Sequence, residues 1–190
     1  MVAGLVVLFV FVALLGYLGV IYNGLVRVSA GVKLAWSNID VLLVQRHDEL
    51  PKLVEVCRQY MKFEQDTLER VTKARNSVDS ARNSGSVSSV GAAERELRTG
   101  LSGLYAVAES YPELKTNEAF KQLQARISGL ETAIADRREV YNDAVNANNV
   151  RIQSFPDAIL AQFGNFPPAK LLEFQSDEKT DVNVKSLFAA

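Results

Sequence analysis

The chain has 190 residues, enough for a membrane anchor and one domain with its own hydrophobic core. Its 21 basic and 22 acidic side chains leave a net charge of −1, so it lacks the concentrated positive field with which proteins bind nucleic acid. Cys57 is the single cysteine and His47 the single histidine. This composition excludes an intrachain disulfide and argues against a conventional zinc site.

The N-terminal segment carries the strongest pattern. Val2 to Ile21 contains no charged residue, and a helix of 20 residues is about 30 Å long, the thickness of the hydrocarbon core of a bilayer. A cleaved signal peptide would begin with basic residues and have a shorter apolar stretch. A buried core helix of this length is rarely apolar on every face. The sequence therefore predicts a transmembrane anchor over residues 1–22.

Basic side chains follow this segment rather than precede it. Arg27 and Lys33 come soon after it, whereas the first acidic residue is Asp40. Basic residues next to a membrane span mark its cytoplasmic side. We therefore expect the N-terminus outside and the C-terminal domain in the cytoplasm, with Tyr17 and Tyr22 near the inner interface.

The sequence that follows the anchor, up to residue 89, predicts two helices. Apolar residues recur at steps of three and four after the anchor, so the anchor helix is expected to continue out of the membrane through Arg46. Pro51 is expected to kink this helix or to start a new one. The helical pattern then runs on to Ala81 and is expected to end in the small, polar stretch of residues 83–89.

Two further helices follow. Apolar residues from Leu97 to Tyr111 indicate a third helix that stops at Pro112. A fourth, from roughly Thr116 to Ile152, has an apolar repeat averaging 3.5 residues, which is typical of coiled-coil-like packing. Phe155-Pro156 is expected to end it.

The predicted fold is all-α: an N-terminal transmembrane helix continues into a long antiparallel bundle of three to four helices. Short connections make consecutive helices antiparallel. We divide the chain into an anchor (1–22), a helical bundle (23–155) and a short helix with an extended tail (156–190). The tail is too apolar for a purely disordered end, so it is expected to lie on the bundle or on a neighbouring subunit. Its large apolar residues include Leu171, Leu172, Phe174, Leu187 and Phe188.

Charged residues interrupt two of the apolar patterns. Glu64 and Arg137 fall at positions that are otherwise hydrophobic, and a buried charge needs a partner. We expect them to pair with each other or with Arg75 and to fix the register of the helices. A catalytic or regulatory role for these residues is the alternative.

Other polar residues do not form a recognisable active site. Residues 46–49 read Arg-His-Asp-Glu, but consecutive residues on a helix point about 100° apart, so a solvated helix end is the simpler interpretation. The glycine- and serine-rich stretch around Gly85 has no lysine in phosphate-binding spacing. We therefore predict no enzyme activity and no cofactor.

Several segments, in order along the chain, form a characteristic pattern. They include Tyr22-Asn23, 32–43 (VKLAWSNIDVLL), 46–56 (RHDELPKLVEV), Phe63-Glu64, 71–75 (VTKAR), 111–117 (YPELKTN), 137–142 (RREVYN), Asn149, Ile152 and Phe155-Pro156. Together these segments resemble the LemA family of bacterial membrane proteins. Departures from the family pattern stand at Gln45, Lys52 and residues 129–132. The resemblance implies a bacterial inner- or plasma-membrane protein with a helical-bundle domain. Members of the family have been associated with membrane organisation. The resemblance supplies no catalytic residues for this chain.

We interpret the chain as a non-catalytic, membrane-anchored helical scaffold or adaptor. Expected partners are the lipid bilayer, further copies of the chain and other membrane proteins. The predicted interaction surface consists of Trp36, Asp40, Arg46, Asn142 and Asn149. Two alternatives are a regulatory or catalytic subunit whose site a partner completes, and an extracytoplasmic binding domain if the topology is reversed.

Overall fold

The computed structural model describes residues 2–173, which form six α-helices and no strand. The helices are α1 (Val2–Tyr60), α2 (Gln65–Asn83), α3 (Val87–Ala108), α4 (Pro112–Thr116), α5 (Glu118–Gln153) and α6 (Asp157–Phe163). The predicted all-α fold is confirmed. The tail residues Phe174, Leu187 and Phe188 lie outside the described part of the chain.

The chain divides into two compact units. Within the described residues, the anchor unit contains 2–46 together with 126–171, and the hairpin unit contains 47–125 together with 172–173. The first part of α1 and most of α5 therefore belong to the anchor unit. The end of α1, all of α2, α3 and α4, and the start of α5 belong to the hairpin unit.

In the anchor unit, α1 and α5 run antiparallel. Gly24 lies against Arg151, and Trp36 lies against Tyr141, so residue numbers rise along one helix as they fall along the other. Steps of three and four residues give each helix one buried face. From α1 and α5 this core takes Ile21, Leu25, Ala35, Ile39, Leu43, Ile127, Ile134, Tyr141 and Val145. The apolar stripes predicted for both segments are therefore the buried faces.

The last helix, α6, folds back onto the start of this core. Ala161 is buried with Ile21 and Leu25 of α1, and Leu160 and Phe166 pack against the same cluster. Phe166 also meets the ring of Tyr22 edge-on, with ring centroids 5.8 Å apart. The chain then continues without helix through residue 173.

The hairpin unit is built on the antiparallel pair α2 and α3. Gly85 has φ = +69°, a left-handed conformation that glycine adopts without steric cost, and it ends the turn after α2. The Ser86 hydroxyl then accepts a hydrogen bond from the Ser89 backbone N–H and caps α3. Where α2 and α3 pack against each other, Gly100 of α3 lies next to Val71 of α2. The predicted end of a helix in residues 83–89 is confirmed.

Two details of the middle of the chain differ from expectation. Pro51 lies inside α1, which continues to Tyr60, so of the two alternatives for Pro51, a kink or a new helix, the new helix is excluded. The chain breaks instead at residues 61–64, where the sequence predicted uninterrupted helix. Met61 is fully buried while Phe63 is almost fully exposed, so the turn is made by placing Met61 in the core and needs neither proline nor glycine.

The expected ends of the later helices are close to those in the structure, but α3 begins at Val87, ten residues before Leu97, the first apolar position of the predicted helix. α3 ends at Ala108, before Pro112, and Pro112 is the first residue of the short helix α4. Proline suits this position because its missing N–H would have no partner in the helix. α5 covers Glu118–Gln153, within two residues of the predicted helix at each end.

Candidate functional site

The N-terminal part of α1 presents an apolar surface without protein cover. Residues 2–17 are exposed throughout, and Phe9 is 75% exposed. Among the residues that the structure describes, α1 is the one helix long and apolar enough to cross a membrane. A core helix would bury these side chains. Their exposure fits a segment that is surrounded by lipid.

The C-terminal segment of the anchor unit is attached to α5 by three hydrogen bonds. The side-chain amide of Asn149 donates to the Ala169 carbonyl and accepts from the Ala169 N–H, each over 2.9 Å. The Tyr141 hydroxyl donates to the Lys170 carbonyl, also over 2.9 Å. Burial of Tyr141 raises the pKa of its hydroxyl. We call Asn149 and Tyr141 the clasp, because they fix residues 169–170 along the helix.

The predicted interaction residues all belong to the anchor unit, but they do not form one open surface. Trp36 packs edge-on against Tyr141 with centroids 5.5 Å apart, and Asn149 is occupied by the clasp. Asp40 and Asn142 are half-buried. Arg46 is only 3% exposed, so it does not belong to a solvated helix end. Partner binding by these five residues stays a prediction.

At the beginning of α6, an ion pair connects this helix to α5. The Arg151 Nε donates to the Asp157 carboxylate over 2.7 Å. The guanidinium of Arg151 also lies directly over Gly24 of α1, where any side chain would collide with it. Arg151 therefore joins α5, α6 and α1 at the end of the apolar segment.

The hairpin unit contains a polar cluster around His47. The Arg75 Nε donates to the His47 carbonyl over 2.9 Å, and its Nη2 lies 2.5 Å from the His47 Nε2. Arginine has only donors, so His47 must accept at Nε2 and carry its proton on Nδ1. In the described chain this buried Nδ1 has no hydrogen-bond partner. The arrangement selects the neutral imidazole.

The charges around His47 come from both α1 and α2. Burial and the Arg75 guanidinium lower the pKa of His47, with Arg82 acting in the same direction, while Asp79 and Asp48 oppose them. Asp79 accepts a hydrogen bond from Arg82 over 2.9 Å, and this bond lowers the pKa of the Asp79 carboxyl. Burial and the arginine therefore favour the neutral form of His47.

The three residues of the expected polar seam, Glu64, Arg75 and Arg137, have different surroundings. Glu64 lies in the turn before α2, Arg137 is exposed on α5, and Arg75 bonds His47. An exposed arginine needs no buried partner, which removes the reason for the expected pairing. A functional role for the three residues stays a prediction.

Buried polar side chains are found elsewhere, and their spacing in the sequence could have indicated them. They are Arg46, Glu49, Glu94 and Asn148. Arg46 lies seven residues from both Ile39 and Leu53, which are buried on the same helix. Asn148 likewise follows the buried Tyr141 by seven. Two turns separate such positions, so they share one face of the helix.

Cys57 is fully buried, and burial raises the pKa of its thiol to about 12. Such a thiol is protonated at physiological pH, and its reactivity is low because the thiolate is the reactive form. Across residues 2–173 no group of three or more histidine, cysteine, aspartate or glutamate side chains could hold a metal ion.

Comparison with known proteins places these features in a family. The sequence model of the LemA family matches residues 35–186, which is most of the chain. The chain belongs to the LemA family. The match begins at Ala35, beyond the apolar segment, so the family relationship and the anchor are separate observations. The resemblance seen in the sequence is confirmed.

Two curated proteins of Paramagnetospirillum magneticum are also similar to this chain. They are named Magnetosome protein MamQ 1 and Magnetosome protein MamQ 2. Each is 24% identical over 192 residues, covering 88% of this chain and 70% of the relative. Together with the exposed apolar helix, the family relationship fits a membrane-associated protein.

Proposed function

We propose that this LemA-family protein is a non-catalytic, membrane-anchored helical scaffold or adaptor that takes part in membrane organisation. The observation that carries the proposal is α1, in which a charge-free and exposed apolar segment continues without a break into the packed helices. A helix that is continuous across the membrane surface holds the bundle at that surface without a flexible linker. Such an arrangement suits positioning of partners rather than chemistry on a diffusing substrate.

We further propose that the membrane is the bacterial inner membrane and that the bundle is cytoplasmic. Arg27 and Lys33 support this orientation, because both are exposed basic residues close to the end of the apolar segment. A reporter enzyme fused to the C-terminus tests the orientation: we expect activity of a cytoplasmic reporter and no activity of one that requires export. The reverse result would exclude a cytoplasmic adaptor.

Self-association is part of the proposal and is supported by an exposed apolar pair on α1. Leu34 is 66% exposed and Val41 is 56% exposed, and their spacing of seven residues places both on one face of the helix. Apolar side chains repeating at this spacing form the contact between helices in coiled coils. A second copy of α1 offers the same pair, so the face can be self-complementary in a two-fold dimer.

Cysteine crosslinking in membranes tests this contact. Because Cys57 is buried, a single introduced cysteine is the only reactive thiol of the folded chain. Leu34→Cys should give a disulfide-linked dimer on mild oxidation. Lys33→Cys is the matched control, since Lys33 is exposed on α1 but points about 100° away from Leu34. Equal crosslinking at both positions, or none at Leu34→Cys, would exclude this face as the contact between copies.

A further inference from the structure

Helix α6 exposes apolar side chains on the face that is turned away from the core. Ile159 is 52% exposed and Phe163 is 84% exposed, and their spacing of four residues places them one helical turn apart on the same face. Phe155, immediately before the helix, is also 84% exposed. Large aromatic side chains concentrated in so short a segment form a local apolar surface.

This surface has almost no charge. From Ile152 to Ala169 the sequence contains one charged residue, Asp157, and its carboxylate is neutralised by the ion pair with Arg151. Since Arg151 is used in that pair, the basic flank is Lys170, which follows the stretch. An apolar surface next to a basic residue suits the boundary between lipid headgroups and acyl chains.

The packed side of α6 determines where this surface lies. Leu160 and Ala161 contact the cluster that contains Ile21 and Leu25 of α1. Ile21 is the last residue of the 20-residue apolar run that fits a membrane span, so α6 is attached at the end of that run. The exposed apolar surface of α1 therefore continues onto α6 rather than ending where the bundle begins.

We propose that α6, together with Phe155, is a second membrane contact that lies in the surface layer of the bilayer next to the anchor. The proposal rests on the membrane anchoring that the proposed function includes. A single span leaves the bundle free to rotate about the helix and to tilt. A second contact beside it fixes the orientation of the anchor unit relative to the lipid plane.

Tryptophan fluorescence of the full chain in lipid vesicles tests this contact. In a Trp36→Phe background, tryptophan is introduced at Phe163, at Ile159 or, as the control, at Val41. Val41 is exposed on α1 but lies 16 residues beyond Leu25, about 24 Å along the helix. Each variant is measured in vesicles of phosphatidylethanolamine and phosphatidylglycerol, with and without acyl chains brominated near the headgroup, and with iodide in the water.

We expect brominated lipid to reduce the emission at positions 163 and 159 by roughly half, because an interfacial helix inserts its apolar face ~5–10 Å below the surface. Iodide should quench these positions weakly. The Val41→Trp control should show no quenching by the brominated lipid. Free quenching of positions 163 and 159 by iodide would overturn the proposal. Blue-shifted emission without lipid quenching would also overturn it, since a second protein copy would then cover α6.

Flotation of the same vesicles through alkaline carbonate separates failure of this contact from failure of the anchor. A chain that floats but whose tryptophans at 163 and 159 are open to iodide retains its anchor and lacks the second contact. A chain that does not float has no membrane span, which would also remove the proposed function.

Discussion

The thiol of Cys57 is enclosed by the hairpin unit and has a pKa raised to about 12. We expect no reaction with a maleimide at neutral pH while the protein is folded, because reaction needs both access and the thiolate. Denaturation should expose the thiol and give one added label in the mass spectrum. A Lys33→Cys variant, with an exposed second thiol, should take one label when folded and two when unfolded. Rapid labelling of folded wild-type protein would contradict this assignment.

His47 should make stability depend on pH. The pKa of His47 is below 6.5 in the folded protein and near 6.5 in the unfolded chain. At a pH between these two pKa values, the unfolded chain therefore binds more protons than the folded protein. The stabilisation is therefore complete above pH 6.5 and is lost as pH falls through the folded-state pKa. We expect the thermal midpoint to drop between pH 7.5 and pH 5.5. His47→Gln, which cannot gain this proton, should show a smaller drop, and an equal drop in both proteins would assign the effect to other groups.

The clasp should be measurable through Asn149. Asn149→Ala removes both hydrogen bonds to Ala169, and we expect it to lower the free energy of unfolding by about 1–3 kcal/mol. Amide exchange in residues 169–171 should also become faster. The matched control is Asn146→Ala on the same helix, where an exposed amide should change stability by no more than ~0.5 kcal/mol. Similar effects of the two substitutions would show that the clasp does not hold the segment.

Single residues show where sequence reasoning succeeded and where it did not. The regular apolar spacing along α1 and α5 predicted buried residues such as Ile39 and Ile134. The same spacing misplaced the polar residues. A charged residue that interrupts the apolar pattern does not show by itself whether its side chain is buried in the core or exposed on the helix surface. Arg137 is exposed, whereas Arg46, which keeps the spacing, is buried. Tertiary contacts decide such cases.

Among the elements, α3 offers a comparison between two glycines. A side chain at Gly91 would collide with the backbone carbonyl of Glu173, whereas Gly103 has open space beside it. We expect Gly91→Ala to destabilise the protein by about 1–3 kcal/mol, since the chain next to the buried Leu172 must move away. Gly103→Ala should instead stabilise it by about 0.5–1 kcal/mol, because alanine is the better helix former.

Denaturation of both variants measures these effects. Faster amide exchange at Leu172 in the Gly91→Ala variant alone would show that the segment after residue 171 packs on α3. If both alanines stabilised the protein to the same extent, the approach of Glu173 to α3 would be excluded.

Element boundaries were predictable where the backbone itself requires a particular residue. Gly85 supplies the left-handed conformation after α2, and Pro112 suits the first position of α4. The break at residues 61–64 has no such marker, because it depends on burying Met61. Pro51 is an exposed residue inside α1, so the alternative of a helix start at this residue is excluded. Turns made by packing are not visible in a single sequence.

At the scale of the whole molecule, integration into the membrane should depend on the first segment of α1. A charge at the centre of a membrane-spanning helix costs about 2.5–3.5 kcal/mol on insertion. We therefore expect Val10→Arg to lower the fraction of protein that resists carbonate extraction from cell membranes. Val41→Arg, at an equally exposed valine outside the segment, should leave this fraction unchanged. Unaltered integration of Val10→Arg would remove the membrane span.

The contact of α6 with Ile21 and Leu25 also has a consequence for the order in which the protein is completed during synthesis. These partners are separated by more than 130 residues of chain, as between Ile21 and Ala161, whereas α2 and α3 form a local pair. Chain segments fold as they leave the ribosome, and contacts between distant residues form late. Helices α2 and α3 can therefore associate while translation continues. The core next to the membrane is completed only after α6 has emerged from the ribosome. Ribosome-stalled chains that end before residue 157 should therefore contain folded α2 and α3 but lack the contacts of α6 with Ile21 and Leu25.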